Sequence, residues 1–555
     1  MASFLSKLCT ASLLVMLFSS PCLAVVSSSV FNSPDTICNS TPYPSFCKSM
    51  LPNNRSGTIF DYGRISFHQS ISTAKGFLSL LNQYLKSSSN LSQSTIGALQ
   101  DCQFLAGLNQ DFLINTLAIV NNTNSTLHSS QAEDLHSLLS AVITNQDTCL
   151  DGIQATFTAS SIRNSLSEPI QNGTKAYSVS LGLFTNSWGT HVGFRSRWLR
   201  ERKLTAFSNT QNQKTYGFFR RRMILQTTPV IGNVSVSQMV VVNPDGTGNF
   251  TTINDAVKVA PNNTKGSSYF VIYVVAGIYE EYVSIPSNKK YVMMIGDGIN
   301  QTIITGNHSV ADNWTTFNSA TFAVVAQGFV AVNITFRNTA GAIQQQAVAL
   351  RNGADLSAFY KCSFEGYQDT LYTHSLRQFY RECNIYGTID FIFGNAAVVF
   401  QNCNIYSRLP LSGQFNTITA QGRTDPNQNT GTSIQGCSIT ASSDLASSNG
   451  TTKTYLGRPW KEYSRTVYMQ SFIDSLIDPS GWHEWSGNFS LSTLYYAEFN
   501  NTGPGSNTSS RVTWPGYRVI NESDAVTFTV SNFIIGDYWL NTTAVPYTGG
   551  FINQS

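Results

Sequence analysis

Two aspartates give the first chemical signal in this sequence. Asp369 closes the segment "YKCSFEGYQD" (360–369) and Asp390 closes "RECNIYGTID" (381–390). The segments align with Cys362 over Cys383, Phe364 over Ile385, Gly366 over Gly387 and Asp369 over Asp390, all at one constant step. "FQNCNIYS" (400–407) continues the series, with Cys403 in the place of Cys383. A period of about 20 in β-rich sequence marks a solenoid, each repeat being one coil of a parallel β-helix. Coils stack about 4.8 Å apart, so residues one period apart become neighbours. Two carboxylates that close do not both ionise readily, and one pKa rises. The pair then offers one proton donor and one anion.

Other residues could complete such a site. Gln346 precedes Gln368 by close to one such period, which predicts a neighbouring coil; Gln344 and Gln345 adjoin it, and that step favours Gln346. Side-chain amides are neutral donors suited to a developing oxyanion. In "YLGRPWKEYSRTVYM", Arg458 can pair with a carboxylate, and Trp460 offers a flat apolar face for a sugar ring. Asp390 itself interrupts the apolar run "IYGTIDFIFGNAAVVF" (385–400), where an unpaired charge would be costly. Spacing alone also permits a structural ladder of stacked Gln and Asp, and an ordinary Arg ion pair beside a packed Trp.

The elements that must position these residues lie in the second half of the chain. From about residue 236 the sequence is short β-branched or aromatic runs broken by Gly and Asn, such as "YFVIYVVAG" and "FAVVAQGFVAVNITF". No long amphipathic helix interrupts them, which disfavours a βαβ sheet. Residues 35–165 instead show helical periodicity. "SFHQSISTAKGFLSLLNQYL" aligns Phe67, Ile71, Leu78, Leu81 and Leu85, and similar patterns recur at 96–120 and 131–157. Cys38, Cys47, Cys102 and Cys149 are that region's cysteines and predict two disulfides, with three connectivities open.

Composition narrows the setting. The N-terminal segment up to Ala24 has Lys7, an apolar stretch and then small residues, as in a secretory signal peptide. The 20 Asn-x-Ser/Thr sequons fit a secreted, glycosylated surface. Residues 1–225 hold 17 Lys+Arg against 10 Asp+Glu, whereas 226–555 hold 17 against 21. Nine basic residues fall within 195–222, so the basicity belongs to a linker and argues against nucleic-acid binding. Residues 166–228 read as that linker, with candidate processing sites in "RERKL" (200–204) and "RRRMIL" (220–225).

The segments "DGTGNFTTINDAV", "QAVALR", "GYQDTLY", "GTIDFIFGNAAVVFQNC" and "YLGRPWKEYSRTVYM" resemble plant pectin methylesterases over roughly residues 236–550. The helical part resembles the inhibitor domain that precedes many of them. The resemblance implies an all-β right-handed parallel β-helix catalytic domain (236–550), after a signal peptide (1–24), an all-α four-helix-bundle domain (30–165) and the linker (166–228). It implies Asp390 as nucleophile, Asp369 as general acid/base, Gln346 and Gln368 at the oxyanion, and Arg458 and Trp460 as anchor and substrate contact. It implies disulfides Cys38–Cys47, Cys102–Cys149 and Cys403–Cys437. Cys362 and Cys383, one coil apart, could be bonded or form a thiol ladder. No cofactor or metal is expected. The expected partners are methyl-esterified pectin, a subtilisin-like processing protease and proteinaceous inhibitors. A secreted cell-wall monomer follows, without membrane span or nucleic-acid partner, its helical domain autoinhibitory. The competing readings are a polygalacturonase-type glycosidase, which paired acids alone would permit, and a non-catalytic pectin-binding or inhibitory protein.

Overall fold

The computed structural model describes residues 33–52, 57–87, 91–156, 161–189, 234–266, 268–448 and 450–553. The candidate signal segment and both basic clusters lie outside these. Two short helices, α1 (Pro34–Cys38) and α2 (Pro44–Met50), lead into four long ones: α3 (Ile59–Lys86), α4 (Gln93–Val120), α5 (Ser129–Thr156) and α6 (Ser161–Ser187). Helix α3 begins with a capping box, Thr58 accepting from the Asp61 N–H while Asp61 accepts from Thr58. The apolar stripe read from the sequence is buried at Phe67, Ile71 and Leu81. The bundle closes around Trp188, which lies so near Gly63 that a Cβ there would meet the indole at 2.5 Å.

Helix α6 corrects the expected linker boundary. Residues 161–187 are helical, so the helical domain extends past 165. Its periodicity is masked because α6 buries small hydroxyls as well as apolar groups: Ser70 and Ser180 Oγ meet 2.9 Å apart between α3 and α6. Pro169 inside the helix obscures it further. Disulfides Cys38–Cys47 and Cys102–Cys149 pin α1 to α2 and α4 to α5.

The second half winds three parallel sheets, of eleven, seven and eight strands, in which each strand pairs with its counterparts one coil away. The repeat seen in the sequence is this register: Phe364 pairs with Ile385 and Ile385 with Ile405. Sharp corners between the eleven- and eight-stranded sheets recur at Asn333, Lys361, Glu382, Asn402 and Gln470, all at positive φ. The interior is filled by rows of like residues, including Phe336 stacked on Phe364 and Tyr380 on Phe400. One row is Cys362, Cys383, Cys403 and Cys437, all buried and all free.

This overturns the expected Cys403–Cys437 bond. The Cys403 N–H donates to Cys437 Sγ at 3.3 Å, and each thiol donates to carbonyls, Cys403 to Tyr380 O and Cys437 to Phe400 O, both at 3.5 Å. The sulfurs serve as ladder members, and Ser471 takes the next place, accepting from the Cys437 N–H at 3.1 Å.

Candidate active site

Asp369 and Asp390 stand just before strands Leu371–Thr373 and Ile392–Gly394 of the seven-stranded sheet. Leu371 pairs with Ile392, so the two aspartates hold equivalent positions on adjacent coils. Both have positive φ, 62° and 52°, a conformation that Asp tolerates better than most residues. Both are buried.

Their surroundings differ. Arg458 donates to Asp390 from Nε to Oδ1 at 2.8 Å and from Nη2 to Oδ2 at 2.6 Å, a bidentate pair. Thr417, one coil further on, adds a hydroxyl donated to Oδ1 at 2.6 Å and accepts the Asp390 N–H at 2.9 Å. The close coil that carries Arg458 requires Gly457, where a Cβ would lie 2.1 Å from Thr419 Oγ1. Trp485 lies 4.3 Å from the guanidinium and completes the clamp. The Asp369 carboxyl has no hydrogen-bonded partner among the described residues. Burial, and then the neighbouring Asp390 charge, push it well above the usual carboxylate range, while Arg458 opposes them.

The two amides frame the same edge of the sheet. The Gln346 and Gln368 side chains make no hydrogen bonds among the described residues, and Gln346 Oε1 is buried. Their backbones are engaged: Gln346 O accepts from Val310 N at 3.0 Å, and Gln368 O from Ala347 N at 3.2 Å. Ala347, rather than Gln346, meets Gln368 across the coils. The step from Gln346 to Gln368 thus exceeds the aspartate period and leaves Gln346 one place off the ladder. Tyr372 stacks on Phe393 at 4.1 Å, and Trp460 meets Phe393 edge-on at 5.9 Å, making an aromatic floor on the outer face of the sheet. Sequence reasoning does not single out Thr417 or Trp485. The turn before the Thr417 strand is long, so Thr417 follows Asp390 by 27 residues and falls outside the period.

Comparison with known proteins gives two family matches. The pectinesterase model matches residues 239–537, and the plant invertase/pectin methylesterase inhibitor model matches 32–183. The chain belongs to the pectinesterase family. A probable pectinesterase/pectinesterase inhibitor 20 of Arabidopsis thaliana is 55% identical over 564 residues, covering 97% of this chain and 99% of its own. Pectinesterase 2 of Citrus sinensis is 45% identical, covering 93% and 95%. The solved pectin methylesterase from carrot is 54% identical, with a TM-score of 0.56 over 59% of this chain and all of its own. The inhibitor match reaches 183, well into α6.

In this pectinesterase the inhibitor-like domain sits on the outer face of the seven-stranded sheet. Cys102, Cys149 and Ile153 of the bundle share one apolar cluster with Phe317, Tyr372, Phe393 and Ala420 of the β-helix, and Trp460 packs against it. Around the cluster, Lys461 Nζ meets Asp151 at 2.6 Å, Thr148 meets His374 Nε2 at 3.0 Å, and Arg377 meets Asp134 at 2.7 Å. Asp101 accepts from Thr315 and Asn318, Asp147 from Thr424, and Asp425 from Ser178. Between α5 and the sheet a cavity of about 10 Å³ remains, lined by Asp147, Asp151, Tyr372, Trp460 and Lys461 among others. That is room for roughly one water.

Proposed function

We propose that the chain hydrolyses galacturonate methyl esters in pectin through an acyl-enzyme on Asp390. The observation that carries this reading is the asymmetry of the aspartate pair, one carboxyl clamped by Arg458 and Thr417 and its neighbour raised by burial and by the first one's charge. An Asp390 oxygen attacks the ester carbonyl carbon, and the tetrahedral oxyanion is held by the amides of Gln346 and Gln368. Collapse breaks the bond to the methoxy oxygen, which takes the Asp369 proton and leaves as methanol. Asp369, now a carboxylate, takes a proton from water as its oxygen attacks the acyl carbon. Asp390 departs as carboxylate, the new galacturonic acid releases the second water proton to solvent and becomes a carboxylate, and Asp369 is again protonated. Arg458 holds Asp390 throughout, and Trp460 carries a sugar ring.

The helical domain is autoinhibitory in this reading. The support is the apolar cluster that packs α4 and α5 over the aromatic floor, where a sugar ring would have to lie. Cleavage in the basic linker by a subtilisin-like protease would free a monomeric enzyme to act in the cell wall, where proteinaceous inhibitors could bind the uncovered face. Secretion is supported by the N-terminal segment and the sequons; no helix among the described residues is long and apolar enough to cross a membrane.

The test is methanol release from methylated pectin by the processed form of Asp390→Ala. Loss of methanol with pectin binding retained is expected, and retained methanol release would overturn the mechanism. New reducing ends without methanol would point to a glycosidase instead.

A further inference from the structure

Behind the loop that carries Trp460, the β-helix holds a cavity of about 330 Å³. Arg423, Arg465 and Arg518 line it with Ser492, Thr493, Tyr495, Phe528 and one carboxylate, Asp524. None of the three arginines has a carboxylate within ion-pair distance among the described residues. Arg423 is buried and spends its donors on backbone carbonyls, Gln428 O at 2.9 Å and Tyr463 O at 3.5 Å, with Pro426 O the third. The Arg465 side chain makes a single hydrogen bond, to Gln428 O at 3.3 Å. Arg518 is exposed and makes none, its guanidinium lying 4.9 Å over the Tyr495 ring.

Three guanidinium groups thus face one carboxylate in this cavity, Arg423 buried, Arg465 half-buried and Arg518 exposed, and the excess positive charge favours an added anion. Burial lowers Arg465 to about 10, and burial together with the Arg465 charge lowers Arg423 against the opposing charge of Asp425. An oxyanion would add to the counter-charge that Asp425 and Asp524 supply to three arginines, and guanidinium donors match carboxylate geometry. In the remaining wall Tyr495 and Phe528 stack on each other 5.5 Å apart beneath Arg518, and the Ser492, Thr493 and Thr527 hydroxyls are the groups that could meet a sugar.

We infer that this cavity is a second binding site, separate from the aspartate pair, for a uronate: a pyranose ring bearing a free carboxylate. It rests on the functional reading for the choice of uronate, because a galacturonate with its carboxylate uncovered is the product of that reaction. The cavity would therefore accept the de-esterified chain and refuse the methyl ester, which lacks the charge. It also lies behind two surfaces that hold the helical domain, the loop 423–430 and the segment carrying Lys461, which Arg423 braces through the carbonyls named above.

Calorimetric titration of the full-length chain with digalacturonate, with its methyl ester and with inorganic sulfate tests this. Digalacturonate is expected to bind, the methyl ester not. Arg518→Gln, at an exposed position that puts the fold at little risk, should weaken digalacturonate and sulfate by roughly tenfold or more. Arg465→Gln should do the same, with Arg465→Lys retaining part of the affinity. Trp460→Ala, which alters the cleft, should leave these affinities in place. Binding unaffected by Arg518→Gln and Arg465→Gln but lost in Trp460→Ala would overturn the site, as would no binding of either anion. Sulfate binding without digalacturonate binding would overturn the uronate assignment. The methanol assay stands apart: if methanol release fails while digalacturonate still needs Arg518, the functional reading falls and the cavity remains.

Discussion

Arg458 grips Asp390 through two parallel N–H···O bonds, at 2.8 and 2.6 Å, and leaves Asp369, one coil earlier, without a hydrogen-bonded partner among the described residues. Equivalent backbone positions thus give two carboxyls with different surroundings. The difference comes from two coils further along, Arg458 lying 68 residues beyond Asp390 in sequence. Replacing Arg458 removes both fixed orientation and counter-charge, so Arg458→Ala in the processed enzyme should lower kcat by about 10²-fold or more. Arg458→Lys keeps a charge but not the fork and should recover only part of it. Equal kcat for Arg458→Lys and the unaltered enzyme would show that the two-point grip is dispensable.

Gln346 and Gln368 keep their side-chain amides unengaged, which is expensive for the buried Gln346 Oε1 unless a ligand uses that side chain. Removal of one oxyanion donor typically costs about 10²–10³-fold in kcat. Gln346→Ala should fall in that range with little change in KM, because the interaction strengthens only as charge develops on oxygen. A rise in KM at constant kcat would reassign Gln346 to ground-state binding.

The thiol row makes a direct chemical prediction. Cys362, Cys383, Cys403 and Cys437 are free and Ser471 continues their line, so alkylation of the unfolded, unreduced chain should label all four. Their mass shifts separate them from the bonded Cys38, Cys47, Cys102 and Cys149. Because a serine already occupies the next rung, Cys437→Ser should cost only ~1–2 kcal/mol in denaturant unfolding. Protection of Cys403 and Cys437 from alkylation would restore the disulfide.

Much of this site is legible because a β-helix turns sequence period into spatial contact. Asp369 and Asp390 stand one full period apart and so must be neighbours once the coils stack, and Cys362, Cys383 and Cys403 follow from nearly the same step, whereas Cys437 comes 34 residues after Cys403. Legibility ends where coils differ in length. Thr417 lies a coil beyond Asp390, yet the long turn ahead of its strand hides it from any fixed period. Gln346 falls one place off the ladder because the regular step sets Ala347 opposite Gln368. Helix α6 escapes the periodicity because its buried face includes Ser178 and Ser180, side chains that carry no hydropathy signal. The docking of the helical domain has no sequence signature at all, since it depends on which residues two separately periodic folds leave facing outward.

That docking should depend on pH, with a sign fixed by the groups it buries. Asp101 on α4 faces Thr315, Asn318 and Arg351; Asp147 on α5 faces Lys461, Thr424, Asp151 and Asp425. Burial pushes each from the ordinary 3.8 up to about 7, and it raises Asp151 as well, against the pull of Lys461. A raised carboxyl pKa means that the docked form holds a proton which the separated form has released. The contribution is therefore complete below about pH 4, is lost as pH rises towards about 7, and changes little above that. His374 works in the opposite direction. Buried against Thr148, it is lowered from 6.5 to about 3, so docking loses its contribution as pH falls below 6.5. Burial also raises Asp134, which faces Arg377, and Asp425, which accepts from Ser178, so five carboxyls against one imidazole leave a net loosening between pH 4 and 7. A chain cut within 190–233 should elute as one particle near pH 4.5 and as two near pH 7.5, with methanol release rising as the halves part. Asp101→Asn should flatten the transition and His374→Gln should steepen it. An affinity between the halves that is constant or rises with pH would show that these carboxyls do not control the contact.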